Sequence, residues 1–331
     1  MKRPWVRHSL TTLGALMMVP LLALTVIVTW LWTQGSGHVP ADARGNGSDA
    51  MWLGHAWVDG RKTQSDVDAL TEHLKQTEIR DLFVHSGPLS PDGSLDPSLR
   101  PQAKWLVAAM HRAMPGVRVQ AWLGAVVAKD RLNPDNDGIR KLMVASAAQV
   151  LDDGFDGVHY DLEPMADGTT GFLRLLESTR ELTRARDAVL SVAAHQVEVV
   201  PGMRRLGQLM IGKPHWWTTG YLRNVAERVD QVAIMAYDTG VPFETGYSGY
   251  VRAQTKKALE AVPSTVALFI GIPAYHSAGP GHTDAETVPA ALRGVRLALD
   301  GGKPERPFGV AVYIDFEATA QDWAAYRTEW R

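Results

Sequence analysis

The chain has 331 residues, a net charge of −2 and no cysteine. Acidic and basic side chains are interspersed, which excludes the segregated positive face that a nucleic-acid binder presents. The missing thiols exclude disulfides and thiolate metal sites, but not export, because a large core needs no covalent staple.

Lys2, Arg3, Arg7 and His8 precede an uncharged run over residues 9–32. At about 1.5 Å per residue such a run covers a hydrocarbon core of about 30 Å. Basic residues ahead of it favour a cytoplasmic amino terminus, with everything downstream outside, and Trp30 and Trp32 fall where an interfacial aromatic belt would lie. A cleaved signal peptide is the alternative, with the cut in the polar stretch that follows. The run exceeds the usual signal-peptide core, so residues 1–33 read as a cytoplasmic stub and transmembrane signal anchor. Residues 34–49, rich in Gly and Ser, read as a flexible linker. Residues 50–331 then form one folded, extracytoplasmic domain.

Within that domain short apolar runs are expected as strands at 51–57, 81–85, 117–125, 157–162, 189–194, 231–236, 266–272 and 309–314. Stretches with apolar residues at helical spacing fall between them, at 65–77, 100–114, 138–151, 170–186, 248–261 and 287–299. Alternation of strand and helix favours a parallel sheet, and eight units favour closure into a (β/α)8 barrel; an open doubly wound sheet is the alternative. About 280 residues suit one such barrel.

The most informative stretch is 155–164, Phe-Asp-Gly-Val-His-Tyr-Asp-Leu-Glu-Pro. Alternate side chains of a strand share a face, so His159, Asp161 and Glu163 project together, with two carboxyls side by side near the strand's end. A carboxyl beside a second carboxylate holds its proton more tightly, which prepares a general acid near neutral pH. Taken alone, an Asp-x-Glu of this kind also suits an acidic turn after a buried strand.

The stretch resembles the catalytic strand of glycoside hydrolase family 18, the chitinase family, whose pattern is DGxDxDxE on the fourth strand of a (β/α)8 barrel. Asp156, Gly157, Asp161 and Glu163 match it; His159 stands in place of the middle Asp and Leu162 in place of a frequent Trp. A second match, residues 229–238 ending Met235-Ala236-Tyr237-Asp238, resembles the family's sixth strand. Residues 189–193 and 269–275 are similar to its fifth and seventh. The resemblance, over about residues 50–328, implies a glycosidase acting on β-linked N-acetylglucosamine glycans of the chitin, peptidoglycan or N-glycan type. It implies that Glu163 is the acid and base and that the substrate's own acetamido oxygen is the nucleophile. Asp161 would orient that group, Tyr237 hydrogen-bond it and Asp156 support them from behind. The substrate would be met by His159, Asp238, Tyr313, Trp57 and Trp122, with Tyr313 where family members commonly carry a Trp beneath the sugar. No cofactor or metal is implied.

Other readings stay open beside this one. Asp315 and Glu317 follow the eighth strand and would offer Glu163 a conventional carboxylate partner, or would simply cap a loop. His55, His85, His159 and His195 lie near strand ends and would suit a metal-dependent hydrolase if their rings converged, although no HxH or HExxH spacing exists. A glycan-binding barrel without turnover is the remaining rival, since folds do not define function. Trp57, Trp122 and Trp217 are the expected exposed platforms for sugar rings.

Overall fold

A computed structural model describes Leu22 and residues 24–331. Eight parallel strands, labelled β1 to β8 in chain order, close into a barrel: β1 (Asp49–Leu53), β2 (Ile79–Pro88), β3 (Arg118–Val126), β4 (Gly157–Glu163), β5 (Val189–Ala194), β6 (Gln231–Ile234), β7 (Ala267–Pro273) and β8 (Phe308–Tyr313). β1 pairs with β2 on one side and with β8 on the other, which seals the ring. Closure leaves the barrel itself with no free sheet edge. The open-sheet alternative is thereby set aside.

All six expected helices form, at Gln64–Leu74, Ala103–Ala113, Asp137–Asp152, Thr170–Arg184, Glu244–Ala261 and Val288–Ala298. Their starts are written locally. Thr63 and Asp66 form a reciprocal capping box, and Asn136 accepts from the amides of Gly138 and Ile139. Two helices between β5 and β6, Met203–Ile211 and Thr219–Ala226, had no counterpart in the sequence reading. The first strand is shorter than the expected 51–57: after Leu53 the chain turns through a short 3-10 segment, His55–Trp57. The sixth ends at Ile234, which leaves Met235, Ala236 and Tyr237 beyond it.

Strand parity divides the core in two. Trp52, Phe83, Trp122, Tyr237, Phe269 and Tyr275 point into the barrel, whereas Val158, Tyr160 and Leu162 of β4 face the surrounding helices. The glycine of the Asp-Gly pair is required by that packing, because a Cβ on Gly157 would lie 2.4 Å from the Val189 carbonyl oxygen on β5. Below the aromatics the interior is polar. Arg118 pairs with buried Asp81, which also accepts from Gln120 and Gln231; Ser191 donates to Gln120. Each of these groups is satisfied, as burial demands.

The expected anchor falls mostly outside the described residues. Among the described ones no helix is long and apolar enough to cross a membrane. The stretch expected to be a free linker lies against the barrel instead: Arg252 donates to the Gln34 carbonyl, Arg293 to Gly37 and Arg296 to Ala43. Those arginines lie far downstream in the sequence, on helices Glu244–Ala261 and Val288–Ala298. Local composition therefore gave no sign of them.

Candidate active site

At the carboxyl end of β4 the expected pair is in place. Asp161 and Glu163 follow His159 on the inward face, opposite Gly124 and Val126 of β3. Trp122 lies diagonally across and donates from Nε1 to Asp161 Oδ2 at 2.9 Å. Asp161 Oδ1 is buried and has no partner of good geometry. Both carboxyls hold their protons more tightly than usual. Burial raises Asp161, while hydrogen bonding with Glu163 and Trp122 opposes the rise. Glu163 is pushed well up by desolvation, then by the charge of Asp161 and its hydrogen bond, then by the charge of Asp238. Its side chain keeps contact with solvent at the mouth of the barrel although protein surrounds it. Desolvation therefore acts less strongly than full burial would, and the neighbouring carboxylate carries more of the argument.

The segment after Glu163 is clamped on both sides. The Met165 amide donates to His195 Nε2 at 2.8 Å, and its carbonyl accepts from Trp217 Nε1 at 2.8 Å. Facing the carboxyls, Tyr237 stacks on Tyr313 with ring centroids 5.2 Å apart, and Tyr313 also meets Trp52, Trp122 and Tyr275 edge-on. Tyr237 is held from behind, because Gln196 donates to its carbonyl at 2.6 Å and in turn accepts from Tyr250. Burial raises its phenol pKa well up, with contributions from Tyr313, Asp161 and Glu163, so the phenol stays a hydrogen-bond donor. Asp238 lies beside it and accepts from the Tyr275 hydroxyl at 2.6 Å. Glu163, Asp161, Tyr237, Asp238 and Tyr313 thus converge, as their positions at strand ends lead one to expect.

Other expected site residues lie elsewhere. Asp156 has the opposite parity from Asp161 and sits before β4 begins, so it faces the helices at the far end of the barrel. There it accepts from the Val119 amide and pairs with His111 at 2.8 Å. It cannot support the acid, some seven residues or about 20 Å away along the strand. His159 is inward but sealed. Ser191 already donates to Gln120, so His159 Nδ1 must donate to the Ser191 oxygen, while Nε2 accepts from Trp52 Nε1 at 3.1 Å. Stacked 3.8 Å from Phe83 and buried, the ring is driven down to a pKa of about 3 and stays neutral. It therefore neither touches substrate nor charges beside Asp161.

The expected sugar platforms are also corrected. Trp57 is buried and donates to Asp315 Oδ2 at 2.7 Å; Trp217 is buried against Met165; Trp122 is spent on Asp161. Asp315 further accepts from the Gly54 amide, and Glu317 accepts from His276 and Ser277, so both brace loops rather than partner Glu163. Nor do the four strand-end histidines converge. His55 and His85 touch at 3.2 Å, but His159 and His195 are committed to the separate partners above. Two residues were missed: Gln196, behind Tyr237, and Phe316, which stands 66% exposed on the rim after β8. A Cβ on Gly54 would come within 2.7 Å of the Phe316 ring, so that glycine makes room for it. The signal for Gln196 was a polar side chain just beyond an apolar strand.

No family model matches the chain, and no curated protein matches it in sequence. Solved structures do share its fold. A chitinase from Chromobacterium violaceum superposes with a TM-score of 0.59 at 14% identity, over 85% of this chain and 98% of that one. The spore cortex-lytic enzyme SleL of Bacillus megaterium gives 0.60 at 13% identity, over 88% and 76%. A class V chitinase from Pseudomonas fluorescens gives 0.55 at 12%, over 85% and 98%. At such identities the likeness speaks for the fold, which is a chitinase-like (β/α)8 barrel.

Proposed function

We propose that this protein is a retaining glycosidase that cleaves β-linked N-acetylglucosamine glycans with the help of the substrate's own acetamido group. The observation that carries the reading is the pair at the end of β4, a Glu163 at the open mouth that holds its proton more tightly than usual beside Asp161, whose Oδ1 is buried with no partner of good geometry. An acetamido N–H placed over that oxygen would supply the missing donor, and its carbonyl would lie within reach of the Tyr237 hydroxyl. Glu163 protonates the glycosidic oxygen as the bond to the anomeric carbon breaks, and the acetamido oxygen attacks that carbon to give a cyclic oxazolinium ion. Glu163, now ionised, then takes a proton from water, which opens the ring with net retention. Among the described residues the two acids after β8, Asp315 and Glu317, are both engaged elsewhere, so neither is free to act as a nucleophile opposite Glu163. The structurally similar proteins, two chitinases and a spore cortex-lytic enzyme, support a glycan substrate.

The test compares substrates that differ only at carbon 2. Full-length protein should release reducing sugar from N-acetylglucosamine oligomers or from peptidoglycan glycan strands, should fail on 2-hydroxy analogues, and should be inhibited by a thiazoline mimic of the cyclic intermediate. Efficient cleavage of the 2-hydroxy substrate together with indifference to thiazoline would sink the mechanism. We further propose that the uncharged run over residues 9–32 holds the barrel to the outer face of a membrane. Leu24, Val26 and Ile27 of its helical end are exposed, which supports that reading. Alkaline carbonate should leave the protein in the membrane fraction, and protease added outside should digest the barrel; release by carbonate would end the proposal.

A further inference from the structure

Behind the Tyr237 wall, two loops meet at a second group of polar side chains that the reaction above does not use. Asp238 ends the segment after β6 and Glu286 the loop after β7; His282 stands between them, and one ligand atom from each lies within 4.8 Å of the others. Glu286 is fully buried as a side chain and is oriented by the loop it faces. It accepts from the Asp238 amide at 2.6 Å, and from the Thr239 amide and hydroxyl at 2.7 and 2.6 Å. Those donors fix where the carboxylate points and leave lone pairs over. The His282 side chain is only 10% exposed, and its buried Nδ1 has no hydrogen-bond partner and lies 3.7 Å from Glu286 Oε2. Neither carboxylate forms an ion pair with a lysine or arginine among the described residues.

We propose that Asp238, His282 and Glu286 bind a divalent transition-metal cation of the zinc or manganese class. One imidazole nitrogen and two carboxylates form a mixed donor set suited to such ions, whereas calcium and magnesium favour oxygen alone. The cation would supply the positive charge this pocket lacks. It would also cross-link the loop after β6 to the loop after β7, which already touch through Gly240 N to the Gly281 carbonyl at 2.7 Å and Thr283 Oγ1 to the Val241 carbonyl at 2.7 Å. Because Tyr275 bonds Asp238, the metal would stiffen the wall that carries Tyr237 and Tyr275. The site shares Asp238 with the group around Glu163 but rests on its own geometry, and it would exist whether or not Glu163 cleaves a glycan.

The experiment is a titration of Zn2+ or Mn2+ into full-length protein purified in detergent and stripped with chelator. Calorimetry should show one equivalent bound, and the melting temperature should rise with metal, since binding to the folded state stabilises it. X-ray absorption at the metal edge should show nitrogen and oxygen neighbours. His282→Ala should weaken binding at least about 10-fold, a cost that even an outer-shell partner can exact. His282→Gln, which keeps bulk and hydrogen bonding, should behave likewise, and circular dichroism should show both variants folded. No saturable binding by the parent protein, or equal binding by a folded His282→Ala, would overturn the assignment.

Discussion

Two carboxylates, one buried and one half-buried, occupy opposite ends of this barrel, and the barrel treats them differently. Asp49, at the start of β1, accepts from the Val310 amide, from Trp330 Nε1 and from the Tyr326 hydroxyl. Asp161, near the end of β4, accepts from Trp122 and keeps one buried oxygen with no partner of good geometry. Burial raises the pKa of both, to about 6 for Asp49. A raised pKa therefore does not by itself mark a working site. What separates the two is saturation: donors packed around Asp49 close the barrel's base, whereas the open oxygen of Asp161 lies beside an acid in contact with solvent.

Exchanging the two roles by mutation tests that difference most directly. Glu163→Gln keeps shape and should lower kcat by about 10²- to 10⁴-fold, the usual share of general acid catalysis. Its melting temperature should stay near that of the parent. Asp49→Ala should do the reverse, leaving Val310, Trp330 and Tyr326 donors unpaired at a cost on the order of 3 kcal/mol. Urea unfolding would read that loss, while kcat per folded molecule holds. If Glu163→Gln unfolds the protein, or Asp49→Ala abolishes turnover in a folded barrel, the division between working end and structural end fails.

Much of the working end was legible in the sequence, and the reason is geometric. Asp161 and Glu163 share a face because strand side chains alternate, and Tyr237 and Tyr313 fall at strand ends where the barrel opens. The same parity, applied one step further, would have removed Asp156, an even-numbered neighbour of odd-numbered site residues. His159 shows the limit of the rule. Parity placed it inward correctly, but whether an inward group meets solvent or is sealed depends on Trp52, Phe83 and Ser191, which come from three other strands. The tryptophans failed for a related reason. An indole offers a flat face and an N–H, and Trp57, Trp122 and Trp217 each spend the N–H inside the protein, on acceptors from distant segments.

Proton linkage sharpens the comparison from the Asp49 side. Its folded-state pKa lies above the ordinary 3.8, so protonation favours the folded form. That contribution is whole below about pH 3.8 and is lost as the pH climbs through about 6, a change on the order of 3 kcal/mol if the whole shift is realised. Asp49→Asn, which mimics the protonated group, should remove it. The stability difference between parent and variant, followed by urea unfolding from pH 4 to pH 7, should move in the variant's favour as the pH rises. A difference constant over that range would mean that Asp49 does not titrate there.

Tyr237 tests the working end at a smaller scale. Tyr237→Phe keeps the stack on Tyr313 and the carbonyl held by Gln196 but removes the hydroxyl. If that hydroxyl meets the acetamido carbonyl, kcat/KM should fall by about 5- to 150-fold, equivalent to about 1–3 kcal/mol of transition-state binding. Unchanged kcat/KM would detach Tyr237 from the acetamido group and weaken the substrate-assisted reading specifically, without touching Glu163.

The smallest effect concerns the rim. Phe316 is exposed, yet its backbone is held because the preceding Asp315 is fixed by both the Gly54 amide and Trp57 Nε1. An apolar ring kept in contact with water at a barrel mouth gains by covering the flat face of a sugar, and stacking of this kind contributes about 0.5–1.5 kcal/mol. Such a contact lies away from the reacting atoms and is made equally in ground and transition states. Phe316→Ala should therefore raise KM by about 2- to 10-fold on long oligomers and leave kcat unchanged. Short substrates that do not reach the rim should show no difference at all. A fall in kcat with KM intact would instead place Phe316 in the loop geometry that Asp315 supports, as part of the structural end's logic carried to the mouth.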